Sequence, residues 1–288
     1  MNSSMEDKII LITGANSGIG KSTALALAAM GGELILVTRK ASSGAEAGRD
    51  IQLQTGSDKI HHYTCDLASL DQVRSLATDL HRDFERIDIL INNAGIINRD
   101  RQLTEDGFEY QFGVNHLAHF LLTQLIIDLL RKSQAARIIN LSSTAHKIGK
   151  INYSDINLEK GYSAMKAYAQ SKLANIIFTY ELCNRLYKEG ITSNAVHPGL
   201  VGTRFGFNRN GQSTKWGMKL YQKLAKSPKK GAKTVIFLAS SPSLLQKSGG
   251  YYVRKKAVPS SKSSYEPDAS TALWNLSLKM CGLSESLI

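Results

Sequence analysis

Short apolar runs alternate with helical patterns along most of the chain. Residues 9–12 and 34–37 are continuous apolar runs, which is typical of strands buried on both faces of a sheet. Further strands are predicted at residues 60–65, 87–91, 137–141, 192–196 and 251–253. Because strands separated by helices form right-handed βαβ units, the pattern predicts an α/β fold. We expect a doubly wound, mostly parallel sheet of about seven strands with helices on both faces.

Helices are predicted between and after these strands. The clearest cover residues 18–30, closed by two glycines, residues 120–130, residues 162–187 and residues 266–280. The segment 120–130 is too short for a membrane span and is interrupted by Gln124 and Asp128, so we interpret it as a buried helix. No linker or repeat divides the chain, and residues 1–288 are predicted to form one domain. Its C-terminal helical extension is expected from about residue 264 to residue 288.

Composition restricts the classes of partner. The chain has 288 residues, is 42% hydrophobic and 21% charged, and carries a net charge of +12. This charge suits a nucleic acid, an anionic membrane surface or a polyphosphate ligand. The basic residues are scattered apart from a cluster at residues 215–230, and we expect no nucleic-acid partner. Three widely spaced cysteines and the lack of a recognisable signal peptide predict a cytoplasmic protein with no metal cluster.

A glycine-rich turn follows the first predicted strand. Residues 13–20 read Thr-Gly-Ala-Asn-Ser-Gly-Ile-Gly and place glycines at Gly14, Gly18 and Gly20. Glycines permit close backbone approach, and the helix that follows presents its N-terminus to a pyrophosphate. The turn therefore predicts a dinucleotide site, and the alternative is a strand-to-helix turn without a ligand.

The end of the second strand bears on the choice between NAD(H) and NADP(H). An acidic residue there would bind the ribose hydroxyl, whereas a basic residue accommodates the 2′-phosphate. This chain has Arg39 and Lys40 and no acid at that point. Since guanidinium groups match phosphate geometry, we expect NADP(H) to be favoured over NAD(H). The alternative is that Arg39 only occupies a solvated strand end.

A phenol and a cation are spaced for one helix face. Tyr168 and Lys172 lie four residues apart, which places one above the other on a helix. A positive charge nearby favours the phenolate, so the pair is a candidate acid/base for a carbonyl or an alcohol. The pair Tyr162 and Lys166 has the same spacing, so spacing alone does not identify the catalytic pair.

These motifs occur together and in a fixed order. The glycine-rich turn, Asp66 after the third strand, residues 92–95 after the fourth and residues 198–203 after the sixth accompany the Tyr168 pair. In this combination the chain resembles the short-chain dehydrogenase/reductase family over nearly its whole length. Residues 114–120, 142–146, 171–175 and 197–199 are most similar to its retinol dehydrogenase-like branch.

The resemblance implies a Rossmann fold and a set of site residues. The implied catalytic residues are Asn115, Ser143, Tyr168 and Lys172. The implied cofactor-binding residues are Gly14, Asn16, Ser17, Gly18, Ile19, Gly20, Arg39, Lys40, Asp66, Leu67, Asn93, Ala94, Gly95, Tyr168, Lys172, Pro198, Gly199, Val201 and Thr203.

The resemblance also implies a role for each catalytic residue. Tyr168 transfers the proton, Lys172 favours its phenolate and holds the nicotinamide ribose, and Ser143 donates to the substrate oxygen. Asn115 is expected to position a water that links Lys172 to solvent, or else it makes only structural bonds. Ser142 points to the opposite face of its strand from Ser143, and the family pattern favours Ser143. Asp66 is expected to bind adenine, to cap the helix that begins near Ser69, or to do both.

The expected activity is NADP-dependent interconversion of a lipophilic carbonyl compound and its alcohol. A catalytically silent NADP-binding regulatory protein of the same fold is the alternative. Residues 200–227 are predicted to form a substrate lid, because Trp216, Leu220 and Leu224 give an apolar stripe. The same Lys-rich stretch also suits a helix touching a membrane surface, or a plain surface helix. The family commonly forms dimers or tetramers, so a homo-oligomer is expected.

Overall fold

A computed structural model describes residues 4–199, 227–266 and 268–288 of the chain. The predicted lid at residues 200–227 lies outside the described residues apart from Ser227. Eight strands form one sheet, in the spatial order β3-β2-β1-β4-β5-β6-β7-β8. The strands are β1 Ile9–Thr13, β2 Glu33–Thr38, β3 Ile60–Thr64, β4 Ile89–Asn92, β5 Arg137–Leu141, β6 Thr192–His197, β7 Gly250–Val253 and β8 Lys256–Ala257.

The α/β prediction is confirmed, with one strand more than the seven expected. Strands β1 to β7 pair in parallel, and β8 alone is antiparallel. Strand β8 was not predicted, because it has only two residues, both exposed, and therefore carries no alternating apolar pattern. It forms a tight hairpin with β7, in which Arg254 and Lys255 take positive φ angles of 51° and 66°.

Helices cover both faces of the sheet. The α-helices of the described residues span Gly18–Ala28, Ala41–Thr55, Leu70–Asp83, Tyr110–Phe112, Ala118–Leu125, Ile127–Arg131, Ala164–Leu186, Pro228–Ser240 and Ala269–Met280. In β1, Leu11 packs into the core under the Leu70–Asp83 and Ala164–Leu186 helices. Its neighbours Ile10 and Ile12 pack into the opposite core, under the Gly18–Ala28 and Pro228–Ser240 helices. This alternation explains why the first four positions of the strand are all apolar.

All four predicted helices differ from the structure in their bounds, and the first differs only in ending at Ala28 rather than at residue 30. The segment predicted as one helix at residues 120–130 is two helices that meet at Ile126, whose φ of −105° and ψ of 13° interrupt the helical bonding. The helix predicted at residues 162–187 is Ala164–Leu186, because Ser163 has extended backbone angles and caps it by accepting from the Lys166 N–H. The last helix begins at Ala269 rather than at residue 266.

Candidate active site

The candidate site lies at the carboxyl edge of the parallel sheet. The loops that follow β1, β2, β4, β5 and β6 all emerge at this edge, since parallel strands end on the same side. These loops carry the glycine-rich turn, Arg39, residues 93–95, Ser143 and Pro198. Sequence order alone does not bring them together, but the strand order does.

The glycine-rich turn is fixed by close packing against the end of β4. A β-carbon added at Gly20 would lie 2.3 Å from the Gly14 carbonyl oxygen and 2.6 Å from Asn93 Nδ2, so only glycine fits. Gly14 has a φ of 65° and Gly18 a φ of 57°, both in the left-handed region that favours glycine. These constraints hold without any ligand, so the glycines by themselves do not prove a phosphate site.

The N-terminus of the helix that follows the turn is the feature that indicates a ligand. Ser17 stands at its N-cap but makes no side-chain capping bond, and no acidic residue occupies the first turn. The N–H groups and the positive end of the helix dipole therefore face the turn uncompensated by the described side chains. This arrangement fits a pyrophosphate held against Asn16, Ser17, Gly18 and Ile19.

Thr13 and Asn93 join the turn to the fourth strand. Asn93 Nδ2 donates to the Thr13 carbonyl at 2.7 Å and lies 3.2 Å from that of Gly14. The Thr13 hydroxyl accepts from the backbone N–H groups of Asn93 and Ala94 at 3.0 and 2.9 Å. The residues predicted to bind the cofactor at Asn93, Ala94 and Gly95 are thus held beside the turn by their own backbone.

Arg39 and Lys40 lie two and three residues beyond Val37, where β2 contacts the turn. The Gly14 N–H donates to the Val37 carbonyl at 2.8 Å, so the turn is bonded directly to the end of β2. Both basic side chains are exposed, and neither makes a hydrogen bond or an ion pair with another described residue. A pair of unengaged cations next to the turn fits a phosphate on the adenosine ribose.

Asp66 does not cap the helix that follows it. Its Oδ1 accepts from the Ala68 N–H at 3.1 Å, and the helix itself begins at Leu70. The Leu70 N–H donates instead to Asp106 Oδ2 at 3.0 Å. The capping interpretation of Asp66 was therefore wrong, because a short turn separates it from the helix. Asp66 is half-buried beside Leu67, which leaves its other carboxylate oxygen for the predicted adenine contact.

Tyr168 and Lys172 share one face of the Ala164–Leu186 helix. Lys172 Nζ lies 5.7 Å from the centroid of the Tyr168 ring. Lys172 is buried, and Nζ donates to the Leu141 carbonyl at the end of β5 at 3.2 Å. Burial lowers the pKa of Lys172 from 10.5 to about 7, because a desolvated ammonium is unfavourable. The pair is thus a phenol beside an amine that exchanges its proton near neutral pH.

The two adjacent serines are used differently. The Ser142 hydroxyl is buried and donates to the Lys172 carbonyl at 2.7 Å, which ties the end of β5 to the helix. Ser143 Oγ accepts from the Ala145 N–H at 3.2 Å, and its hydroxyl hydrogen meets no acceptor among the described residues. Ser143 therefore retains a donor for a substrate oxygen, whereas Ser142 does not. The next turn is fixed by His146, whose Nδ1 donates to the Ser143 carbonyl at 2.6 Å.

Asn115 lies in a π-helical turn, Gly113–Leu117, just before the Ala118–Leu125 helix. Its side chain accepts from the Ile96 N–H at 2.8 Å and donates to the Ile96 carbonyl at 3.0 Å. It also donates to Ser171 Oγ at 3.0 Å, and Ser171 in turn donates to the Tyr168 carbonyl at 2.9 Å. The side chain makes structural bonds that join three parts of the site, and its remaining capacity for the expected water is the second lone pair of Oδ1.

The competing pair is occupied elsewhere. Tyr162 precedes the helix, and its hydroxyl donates to the Asn98 carbonyl at 3.0 Å while accepting from Gln111 Nε2 at 3.1 Å. Lys166 is exposed, with its Nζ at 3.5 Å from the Gly161 carbonyl. Tyr162 and Lys166 therefore do not form a phenol–cation pair at the sheet edge.

Two of the remaining predicted residues are described and two are not. Pro198 and Gly199 follow β6 at the carboxyl edge of the sheet, and Gly199 has a φ of 93°. Val201 and Thr203 lie outside the described residues. No role was predicted for Asn175, because its contact with the Asn115 carbonyl depends on how the two helices pack.

Comparison with known proteins decides the family. A family model described as short chain dehydrogenase matches residues 8–213. Human retinol dehydrogenase 13 is 42% identical over 282 residues, which cover 96% of this chain and 85% of that protein. The chain belongs to the short-chain dehydrogenase family. Mouse retinol dehydrogenase 14 is 39% identical over 293 residues, covering 97% of this chain and 87% of that protein. The expected likeness to the retinol dehydrogenase branch is confirmed.

Solved structures support the same fold. A protein from Mycobacterium paratuberculosis superposes with a TM-score of 0.80 and is 32% identical, over 98% of this chain and 96% of that one. A short chain dehydrogenase from Shigella flexneri, solved as a complex with NADP, superposes with a TM-score of 0.64 at 24% identity. It covers 87% of this chain and 98% of that one. At that identity the second comparison supports the fold alone.

Among the helices of the described residues, none is both long and apolar enough to span a bilayer.

Proposed function

We propose that the protein is an NADP-dependent oxidoreductase that interconverts a lipophilic aldehyde or ketone and its alcohol. The observation that carries this proposal is the Tyr168 ring beside buried Lys172, whose Nζ donates to the Leu141 carbonyl two residues before Ser143, at the sheet edge that holds the glycine-rich turn. Membership of a dehydrogenase family supports the reaction class, and the site geometry supports the assignment of these residues.

Ser143, Tyr168 and Lys172 would each have a separate role in the reaction. The bound nicotinamide supplies the hydride. Ser143 donates its free hydroxyl hydrogen to the substrate oxygen, which stabilises the charge that develops there. Tyr168 gives its phenolic proton to that oxygen in reduction and takes it back in oxidation. Lys172, when charged, favours the phenolate and restores the proton, while the Leu141 carbonyl holds its Nζ in place.

The direct test is oxidation of NADPH with a panel of carbonyl compounds, repeated with NADH and run in reverse with the alcohols. Turnover with at least one apolar carbonyl supports the proposal. The rival is a catalytically silent NADP-binding protein of the same fold. Tight NADPH binding with no turnover across the panel would favour that rival over the enzyme.

Preference for NADP(H) is proposed to depend on Arg39. In the Arg39→Ala variant, the ratio of kcat/KM for NADPH to that for NADH is expected to fall roughly 10- to 100-fold, because a charged hydrogen bond contributes about 1.5–3 kcal/mol. Steady-state kinetics with both cofactors measures this ratio. Arg49→Ala is the matched control, since Arg49 is an exposed arginine on the following helix. An unchanged ratio in Arg39→Ala would contradict the assignment.

An apolar substrate is supported by large exposed side chains around the site. Gly149 approaches the catalytic helix so closely that an added β-carbon would lie 2.5 Å from the Ala169 carbonyl oxygen, one residue beyond Tyr168. The neighbouring Ile148 is 71% exposed, and Met165, one turn before Tyr168, is 49% exposed. Apolar groups left uncovered at the rim of a polar site suit a lipophilic molecule.

The Ile148→Ser variant tests this rim. Its kcat/KM for a long-chain aldehyde is expected to fall roughly 5- to 20-fold, since burying such a side chain contributes about 1.5–3 kcal/mol and contact here is partial. Its kcat/KM for a short aldehyde should stay within about twofold. Leu53→Ser is the control, because Leu53 is 85% exposed on a helix away from the rim. Equal losses with both aldehydes would argue against a role in substrate contact.

Three further predictions stay proposals. We propose a cytoplasmic location, to which the free thiols of Cys65, Cys183 and Cys281 are suited. We also propose a homo-oligomer, which analytical ultracentrifugation would test. Contact between residues 215–226 and a membrane surface is the weakest of the three, and failure to co-sediment with anionic liposomes at low salt would exclude it.

A further inference from the structure

One buried amide joins three parts of the candidate site. Asn175 lies one turn beyond Lys172 on the same helix, and its side chain is buried. Its Nδ2 donates to the Leu141 carbonyl at 3.0 Å and to the Asn115 carbonyl at 3.0 Å. The Leu141 carbonyl also accepts from Lys172 Nζ, at 3.2 Å. Asn175 therefore shares an acceptor with the lysine and links it to the π-helical turn.

The orientation of this amide is fixed from its other side. Because Nδ2 faces two carbonyls, Oδ1 is the atom that faces His116 Nδ1, at 3.3 Å. An amide oxygen only accepts, so His116 Nδ1 carries the hydrogen and its Nε2 accepts. The Ser277 hydroxyl lies 3.0 Å from Nε2 and 2.8 Å from the Leu273 carbonyl, so both acceptors share its single hydrogen. Burial lowers the pKa of His116 to about 3, which keeps the ring neutral and this order unchanged.

We propose that Asn175 is a positioning residue for Lys172, and that His116 and Ser277 of the C-terminal helix hold it in place. The chain of donors runs from Ser277 through His116 and Asn175 to the Leu141 carbonyl. It makes the C-terminal helix Ala269–Met280 part of the site, although that helix carries none of the predicted catalytic residues. The catalytic meaning of this role rests on the proposed function, but the placement of the lysine does not.

The physical effect on Lys172 has a definite direction. The Leu141 carbonyl accepts from both the Asn175 amide and the Lys172 ammonium. It therefore stabilises the charged lysine less than a carbonyl that accepted from Lys172 alone. Removing the amide leaves the carbonyl to Lys172 alone and favours the ammonium. Within the part of the chain that the structure describes, the other titratable groups that sense Lys172 are His116 and His119, and both stay neutral near pH 7 because burial lowers their pKa values to about 3 and about 4. Tyr168 faces Lys172 from its own helix.

The test measures Lys172 directly in the protein without cofactor. NMR of lysine labelled with carbon-13 at Cε, followed from about pH 5 to about pH 11, reports the titration of each ammonium. The Lys172→Met variant identifies the Lys172 signal. In Asn175→Ala the Lys172 pKa is expected to rise by roughly half a unit or more. Thr179→Val is the control, since the buried Thr179 hydroxyl bonds to the Asn175 backbone carbonyl and to Asn140 Nδ2 but neither to the Asn175 side chain nor to Leu141.

A second readout connects the placement to turnover. The alkaline limb of the pH profile of kcat should move upward in Asn175→Ala, with kcat at the optimum reduced roughly 10-fold or more, and should not move in Thr179→Val. If Asn175→Ala does not fold, Ser277→Ala replaces it and should shift the Lys172 titration in the same direction by a smaller amount.

Two results would overturn the proposal. One is a Lys172 titration that is the same in the variants and in the wild type. The other is an equal loss of kcat in Asn175→Ala and Thr179→Val with fixed pH profiles, which would mean a general effect on the fold. Absence of turnover in the wild type would count against the proposed function instead, and the NMR titration would still decide the role of Asn175.

Discussion

A Tyr168→Phe variant is expected to bind NADPH like the wild type and to lose nearly all turnover. The substitution removes a single oxygen, so the ring that lies 5.7 Å from Lys172 Nζ keeps its packing. Loss of a positioned general acid reduces the rate roughly 10²- to 10⁴-fold. Single-turnover reduction of an active carbonyl measures the chemical step, and quenching of protein fluorescence by NADPH measures binding.

The chain provides a matched control in Tyr162→Phe. That change also removes one phenolic oxygen, six residues earlier, and breaks the hydrogen bond from Tyr162 to the Asn98 carbonyl. Its expected effect is a loss of stability of about 1 kcal/mol with turnover retained. If Tyr168→Phe keeps turnover, or if both variants lose it equally, Tyr168 is not the proton donor.

The sequence predicted the parts of the site that depend on local order. The glycine-rich turn, Arg39 and the Tyr168–Lys172 pair each belong to one strand end or one helix, so their spacing is visible in the chain. The continuous apolar strands predicted a parallel sheet covered on both faces. Because parallel strands end at the same edge, the motifs that follow them were expected at one edge. The choice between Tyr162 and Tyr168 needed the family pattern, and the structure supplies the physical reason in the bonds of Tyr162.

The predictions that were wrong, and the features that were not predicted, concern residues whose partners are distant in the sequence. Asp106 caps the helix that Asp66 was expected to cap, and the two are 40 positions apart in the sequence. The π-helical turn around Asn115 was not predicted, and the partners of the Asn115 side chain in it, Ile96 and Ser171, are distant in the sequence. Likewise, His116 is an unremarkable buried histidine in the sequence, and only the packing of the C-terminal helix gives it the partner Ser277.

The Lys172→Met variant is expected to be inactive, and yet more stable than the wild type near neutral pH in the absence of cofactor. Turnover should fall roughly 10²-fold or more, because Tyr168 loses the cation that favours its phenolate. Stability should change in the opposite direction, since a buried lysine is replaced by an apolar chain of similar length that makes no demand for solvation. One residue would then be needed for the chemistry and unfavourable for the fold.

The pH dependence distinguishes this effect from repacking. Lys172 has a pKa of 10.5 when unfolded and about 7 when folded, so between these values the unfolded chain binds a proton that the folded protein does not. The stability of the wild type therefore rises with pH across this window, by up to roughly 4 kcal/mol in total, and the Met variant lacks this contribution.

The difference in free energy of unfolding between the two proteins should thus shrink from about pH 7 to about pH 10, as urea denaturation would measure. Lys166→Met, an exposed lysine on the same helix, should show no such trend. A difference that stays constant with pH would mean that Lys172 is not desolvated in the fold, and the argument for its tuned proton exchange with Tyr168 would fail with it.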